Sequence, residues 1–415
     1  MRGVALEGGG AKGAFHVGAI KALKELGIEF QAVSGASIGA INGALIAMGD
    51  MEMLEHIWLS TEMEDMIGGD AEIIKSIMNF EFRTDPVKIQ NFIKETMKQG
   101  GLDITPLKKN LKELVDEDKV RNSKIDFGLV SMSLSDLKPL EVFIKDIPEG
   151  RLHEYLLASA NLPAFKDERL DNKRMLDGAF FDNLPINMLL DRGCDEVIAV
   201  RVHAIGRIRK IKKSNQSKVI YINPSEDLGK VLEIDTERAK YNITMGYFDT
   251  MRVMRGLFGT KYYIANLIDE AIIIKKLLSI SKSTLNEIGH FFGIDQPAYR
   301  MMFEEIIPLI GDLLKADKKG SYSQFVLNYY EFLAEQAGID RFEIMQYETL
   351  VNRVNDHYLS QIEQYTGMQD VILNRVIAAL PNKSAVLMPH KLKTDLLIHI
   401  YYILLHGLRN TGISM

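Results

Sequence analysis

Three consecutive glycines stand near the start of the chain, within Glu7-Gly8-Gly9-Gly10-Ala11-Lys12-Gly13. They follow a short apolar run and open a helical pattern. Glycines let a ligand come close to the main chain, and the amides at a helix start have no intrahelical partner. The helix dipole adds partial positive charge there. Such a turn suits an anion, either a phosphate or the oxyanion that develops in acyl transfer. The plain alternative is a tight structural turn, at a folding-entropy cost that three glycines in a row make high.

A serine capable of attack lies further on, in Gly35-Ala36-Ser37-Ile38-Gly39. This G-x-S-x-G falls between a strand-like run and a helix, the setting of a nucleophile elbow. There the sharp turn lifts the hydroxyl to the end of the strand. The plain reading of Ser37 is a helix N-cap. A serine nucleophile also needs a proton acceptor within hydrogen-bond reach. Asp177, in Leu176-Asp177-Gly178-Ala179, can present a carboxylate at a strand end. Taken alone, Asp-Gly is first of all a turn signal.

The glycine run admits a rival. Gly8, Gly10 and Gly13 match the dinucleotide pattern G-x-G-x-x-G. That fold places an acidic residue at the end of the second strand. Here the second strand-like run ends in Val33-Ser34-Gly35, and Glu29 stands near its beginning. A Walker loop fails because no Gly-Lys-Ser/Thr follows.

These residues must be held by a framework. Strand-like runs at Val4 to Leu6, Ile28 to Val33, Ile125 to Val130, Val197 to Val202 and Val219 to Ile222 alternate with helical patterns. The helices are read at Ala14 to Leu26, stopped by Gly27, at Ile38 to Met48, and at Leu152 to Ala160, ended by Pro163. Such alternation predicts a mostly parallel sheet covered by helices. After Pro224 strand signals nearly vanish. Apolar residues recur at helical spacing at Leu228, Val231 and Leu232, at Ile272 to Leu278, at Phe325, Leu327, Tyr330 and Leu333, and at Val371, Ile372, Val376 and Leu380. The expected organisation is an α/β domain over 1–225 and an all-helical domain over 226–415.

Composition bounds the rest. The 415 residues suffice for two or three domains, 47% of them are apolar, and the net charge of -6 argues against wholesale nucleic-acid binding. A single cysteine, Cys194, forbids an internal disulfide and reads as a small core residue. The N-terminus lacks the apolar stretch of a secretory signal, and no window reaches the length of a membrane span. Leu396 to Leu408 reads as a buried or interfacial helix. The expected location is cytoplasmic, with any membrane contact peripheral. No metal or cofactor is called for.

Together the motifs resemble those of the patatin-like phospholipase family. The glycine run from Glu7 to Gly13, the Gly35 to Gly39 elbow, the block Ala158-Ser159-Ala160-Asn161-Leu162-Pro163, and Asp177-Gly178-Ala179 stand in the family's order. The resemblance covers about residues 1–205. It implies a three-layer α/β/α sandwich and hydrolysis of ester bonds in phospholipids, lysophospholipids or acylglycerols without a metal. It implies a Ser37–Asp177 dyad, with Gly8, Gly9 and Gly10 as the oxyanion hole and Lys12 close by. Gly35, Gly39 and Gly178 support the turns. Asp182 and Asn183 are expected to steady the Asp177 loop by turn hydrogen bonds.

Alternatives stay open at this stage. His203 follows Asp177 and ends a strand-like run, so a Ser–Asp–His order is conceivable. His16 reads as a packing or helix-surface residue. The stretch Gly206 to Lys218 carries Arg207, Arg209, Lys210, Lys212, Lys213 and Lys218, either a solvated loop or a contact for anionic lipid. Tyr262-Tyr263, Phe291-Phe292 and Tyr401-Tyr402 could line an acyl pocket, form a lid, or fill an interior. A silent catalytic half whose helical partner domain binds another protein, or one that needs a protein activator, is the non-enzyme alternative.

Overall fold

The computed structural model describes residues 1–61, 65, 66, 68, 94, 98, 101–163, 165, 169–211, 218–365 and 389–411. Lys212 and Lys213, and the stripe Val371, Ile372, Val376 and Leu380, lie outside the described residues. The chain forms two compact units, Met1–Arg255 and Gly256–Met415.

The first unit is built on one mixed sheet. Its strands are β1 (Arg2–Leu6), β2 (Ala32–Ala36), β3 (Asp126–Ser133), β4 (Lys138–Phe143), β5 (Arg169–Leu170), β6 (Lys173–Asp177), β7 (Glu196–Val200) and β8 (Lys218–Ile222). Their order is β5-β6-β3-β2-β1-β7-β8, with β4 also paired to β3. Strands β3, β2, β1, β7 and β8 run parallel. Residues of β3, β2, β1 and β7 are mostly buried and apolar on both faces, as a sheet covered on both sides requires, whereas the edge strand β8 is largely open. Strands β4 and β6 run antiparallel to β3.

Helices cover both faces. On one, α1 (Ala14–Glu25) and α2 (Ile38–Met48) pack down. Gly43 of α2 lies against Val33 and Phe127. On the other, the helix Ile186–Asp191 buries Leu189 and Leu190 against Ala5, Ala32, Val197 and Ala199. Neighbours Ala32 and Val33 thus point to opposite layers, as the pleat dictates. Cys194 lies in the second of these cores and is 2% exposed.

Two sequence readings shift. The run from Ile28 is not yet strand. Gly27 takes φ 66, its amide donates to Lys24 and that of Ile28 donates to Leu23. Ile28 therefore completes the cap of α1, and β2 starts only at Ala32. The unit also continues past residue 225 to Arg255. Its last helix, α3 (Thr236–Arg255), runs against α1 in near backbone contact. A Cβ on Gly18 would meet the Ile243 carbonyl oxygen at 1.8 Å, and one on Gly246 the Phe15 carbonyl oxygen at 2.1 Å.

Among the described residues the second unit is helical apart from a two-residue parallel pair, Tyr263–Ile264 with Ile344–Met345, and a single bridge from Phe258 to Ile264. Its core collects Tyr329, Tyr330, Tyr347, Tyr358 and Tyr401, several meeting edge to face. Tyr262, Phe291 and Tyr402 are buried in the same core, so these pairs are interior aromatics. The helix His390–Thr411 buries Leu396, Leu397, Ile400 and Tyr401. Among the described residues no helix is long and apolar enough to cross a membrane.

Candidate active site

The site forms where β1 and β2, paired in register with Leu6 opposite Gly35, leave the sheet at the same edge. Ser37 is the first residue past β2 and the cap of α2, with φ 53 and ψ -126. A non-glycine residue with positive φ is strained and persists only where its surroundings impose it. Here they do so by crowding. A Cβ on Gly35 would lie 2.1 Å from the Gly39 carbonyl oxygen, and one on Gly39 would lie 2.4 Å from that of Leu6. The Ser37 amide donates to the Ser159 hydroxyl at 3.0 Å, and that hydroxyl donates to the Val130 carbonyl at 2.6 Å.

Asp177 arrives by a route the sequence does not reveal. Along β3, residues up to Val130 pair with β2, Val130 itself standing opposite Ala36. From Ser131 on, that flank pairs with β6, Ser131 standing opposite Asp177. The other flank is taken by β4 from Gly128 to Ser133. Strands β2 and β6 therefore share one flank of β3 and meet end to end, which brings Ser37 and Asp177 together. Gly178 fits this meeting, since a Cβ there would lie 2.4 Å from the Val130 carbonyl oxygen and 3.0 Å from the Ala36 Cβ. Asn161 fastens the end of β6, accepting the Asp177 amide at 2.8 Å and donating its side chain to Met175 at 2.7 Å.

The Asp177 carboxyl is fully buried. Its Oδ1 accepts the Ala179 amide at 2.8 Å, and its Oδ2 has no partner within bonding distance. Burial pushes the carboxyl up to about 6, against the pull of the Ser37 side chain and the Ala179 amide. A buried carboxyl raised in this way beside a serine is suited to take up a proton near neutrality.

Of the three glycine amides, that of Gly8 is occupied, donating to the Asn183 carbonyl at 3.0 Å. The Asn183 side chain returns a bond to the Gly8 carbonyl at 3.1 Å. The Ala11 amide donates to Val231 at 2.7 Å. Among the described residues the amides of Gly9 and Gly10 have no acceptor, and both residues line the cavity. Of the three glycines expected to form an oxyanion hole, Gly8 therefore has its amide already engaged. Glu7 is buried and anchors the run by accepting the amides of Val202 and His203 at 2.7 and 3.1 Å.

Other expected residues sit differently. Lys12 is buried, reaches toward Asp227 at 3.9 Å, and does not line the cavity. Asn183 works as a long-range clasp on Gly8 and on Arg207, whose carbonyl accepts its amide at 2.6 Å, rather than through local turn bonds. Asp182 accepts the Arg209 amide at 3.2 Å, and burial pushes it up to about 6. His203 turns its ring to Asn223 at 3.1 Å and does not line the cavity, which leaves the His203 triad without geometry. His16 is buried, and desolvation pushes it down to about 3. It meets Asn42, whose side chain also donates to Gly13 and accepts from Trp58.

Ser37, Asp177, Gly9 and Gly10 open onto a cavity of about 540 Å³. Its walls are largely apolar. They include Ile38, Ile41 and Leu45 of α2, Trp58, Leu107 and Leu111 of the helices Met51–Ser60 and Thr105–Leu114, and Val231 and Leu232 ahead of α3. Mostly apolar walls with a few convergent polar groups are the make-up of a small-molecule site.

This geometry sets a serine beside a buried carboxyl and a glycine turn at the mouth of one apolar cavity. Residues 4–190 match the model of the family described as patatin-like phospholipase. Over that stretch the chain is similar to a patatin-like phospholipase domain. It is similar to the patatin-like phospholipase domain-containing protein ZK370.4 of Caenorhabditis elegans, 26% identical over 206 residues, covering 49% of this chain and 14% of that protein. It is similar also to the lysophospholipase NTE1 of Kluyveromyces lactis, 27% identical over 205 residues, covering 49% of this chain and 13% of that protein. The chain thus spans about one seventh of the length of these relatives. Among solved structures, VipD from Legionella pneumophila aligns over 97% of this chain and 91% of its own, with TM-score 0.38 and 16% identity.

Proposed function

We propose that the first unit hydrolyses carboxylic esters of lipids through Ser37 and Asp177. The observation that carries this reading is the end-to-end meeting of β2 and β6, which sets a strained serine beside a buried carboxylate at the mouth of an apolar cavity. Ser37 Oγ attacks the ester carbonyl carbon while its proton passes to Asp177 Oδ2. The amides of Gly9 and Gly10 stabilise the tetrahedral oxyanion, an effect of about 3–4 kcal/mol per donor in other hydrolases. Collapse breaks the bond to the alcohol oxygen, which leaves with the proton from Asp177. Water then attacks the acyl-enzyme, giving its proton to Asp177. The second collapse frees the carboxylic acid and returns that proton to Ser37.

The cavity favours an acyl chain over a polar leaving group in its depth, since its walls from α2 and from Thr105–Leu114 are apolar. Lysophospholipids, phospholipids and acylglycerols all fit this requirement. The test is labelling by a fluorophosphonate and turnover of short-chain esters and lysophospholipids. Both are expected in the wild type, absent in Ser37→Ala, and strongly reduced in Asp177→Asn. Labelling that survives in Ser37→Ala would sink the assignment.

A further inference from the structure

Eight large hydrophobic side chains of the first unit are markedly exposed among the described residues. Five of them, Leu134, Leu137, Phe180, Ile205 and Ile208, stand at one edge of the sheet. Leu134 and Leu137 follow the C-terminal end of β3, and Ile205 and Ile208 that of β7. Phe180 follows Asp177, which lies at the level of Ser37. Scattered exposed leucines need no explanation, but a set gathered on the edge that carries the reacting groups does. Phe180 and Ile205 also line the mouth of the cavity.

Leu137 makes the point sharply. It sits at the tip of the β3–β4 hairpin with φ 53 and is 70% exposed. A tip with positive φ ordinarily carries glycine or asparagine. A leucine there bears both backbone strain and largely exposed apolar surface.

Cations accompany the patch although the chain as a whole is acidic. Arg207 lies between Ile205 and Ile208, and Lys210 and Lys138 flank it, all exposed. The carboxylates nearby are engaged: Glu141 with Arg209 at 2.8 Å, and Asp136 with Lys173 at 2.7 Å. Glu233 and Asp235, at the mouth, accept the amides of Lys230 and Arg238. The strip is also stiff, since Arg207 donates its amide to Ala179 at 2.8 Å and accepts that of Asn183.

We propose that this edge is a docking face for a bilayer containing anionic lipid. Leu134, Leu137, Phe180, Ile205 and Ile208 enter the interface while Arg207, Lys210 and Lys138 meet the headgroups. The cavity then opens directly onto the membrane, so an acyl chain passes between two apolar phases. The proposal rests on reading the cavity as a lipid site, and its test separates the two.

Binding is measured by co-sedimentation of the Ser37→Ala protein, which leaves lipid intact, with vesicles of phosphatidylcholine alone or mixed with phosphatidylglycerol. Stronger binding to the mixed vesicles, weakened by salt, is expected. Leu134→Ser with Leu137→Ser, and separately Ile208→Ser, should each lower partitioning by about tenfold. Lys210→Gln should weaken binding to mixed vesicles only. In the Ser37-containing protein these same changes should leave melting and turnover of a water-soluble ester as they were. Absence of vesicle binding, or binding indifferent to the leucine and isoleucine changes, overturns the proposal. So does a patch that proves to join two copies, read as a dimer in size exclusion that Leu137→Ser dissolves while no vesicle binding is seen. Vesicle binding without any ester turnover would retire the hydrolase reading and keep the docking face.

Discussion

The hydroxyl of Ser159 joins the Ser37 amide to the Val130 carbonyl, at 3.0 and 2.6 Å, and so holds the strained elbow to β3. Ser159 is fully buried, so its removal leaves a polar group at each end without a partner. Ser159→Ala is expected to lower stability by about 1–3 kcal/mol. It should also slow fluorophosphonate labelling of Ser37 while leaving the label on the same residue. Thermal melting and timed labelling check both, and a wild-type labelling rate would remove Ser159 from the positioning of the nucleophile.

Acid should silence the enzyme through Asp177. Burial sets its carboxyl at about 6, so its basic form is lost as pH falls through that value. The acylation rate is expected to fall about tenfold per unit well below pH 6. His203→Asn should not move this profile, because the His203 ring faces Asn223. A profile displaced by that substitution would bring histidine back.

The same group makes folding depend on pH. Its carboxyl is raised from the ordinary 3.8 to about 6 in the folded state, so the folded form binds the proton more tightly. Stability from this source is full below pH 4 and is lost as pH rises through 6. Asp177→Asn carries no ionisable group there. Its stability relative to wild type is therefore expected to be about 3 kcal/mol better at pH 8 than at pH 3.5. Denaturant melts at the two values test this, and a difference that does not change with pH would contradict it.

Gly10 combines φ 56 with a carbonyl pressed against it, since a Cβ there would lie 2.1 Å from the Val231 oxygen. Gly10→Ala must displace either the glycine run or the segment over it. A loss of about 100-fold or more in turnover is expected if an oxyanion donor is misplaced. Steady-state kinetics alongside melting separate this from unfolding.

Ile41 lines the cavity from α2. Ile41→Trp adds bulk to the acyl space. The ratio of long-chain to acetyl ester hydrolysis should fall by about tenfold, since each lost methylene contact is worth about 0.8 kcal/mol. Comparison of kcat/KM across chain lengths reads the ratio directly.

Much of the frame was legible because local patterns agree with the final structure. The helix Ile38–Met48 and the strands around Val4, Val197 and Val219 follow from buried, apolar runs and their breakers. What escaped is non-local. Strand β6 carries Lys173, Arg174 and Asp177, so nothing apolar and regular announces it, and its pairing with β3 is set by register across more than forty residues of chain. Strand β4 is mostly exposed and alternates weakly. In the site, Ser37 and the glycine run were visible as motifs, whereas the roles of Ser159 and Asn161 depend on backbone groups that a sequence does not list. The occupied Gly8 amide was hidden for the same reason.

Strand β3 acts as a ruler for the chemistry. Ala36, the neighbour of Ser37, and Asp177 stand one step apart along its ladder, opposite Val130 and Ser131, about 3.3 Å. Of the chain between the two residues, β3, Ser159 and Asn161 fix this meeting. Insertions, deletions and new sequence in the intervening loops can therefore reshape what the cavity accepts without retuning the reacting pair. A bulge within β3 itself would draw Ser37 and Asp177 apart.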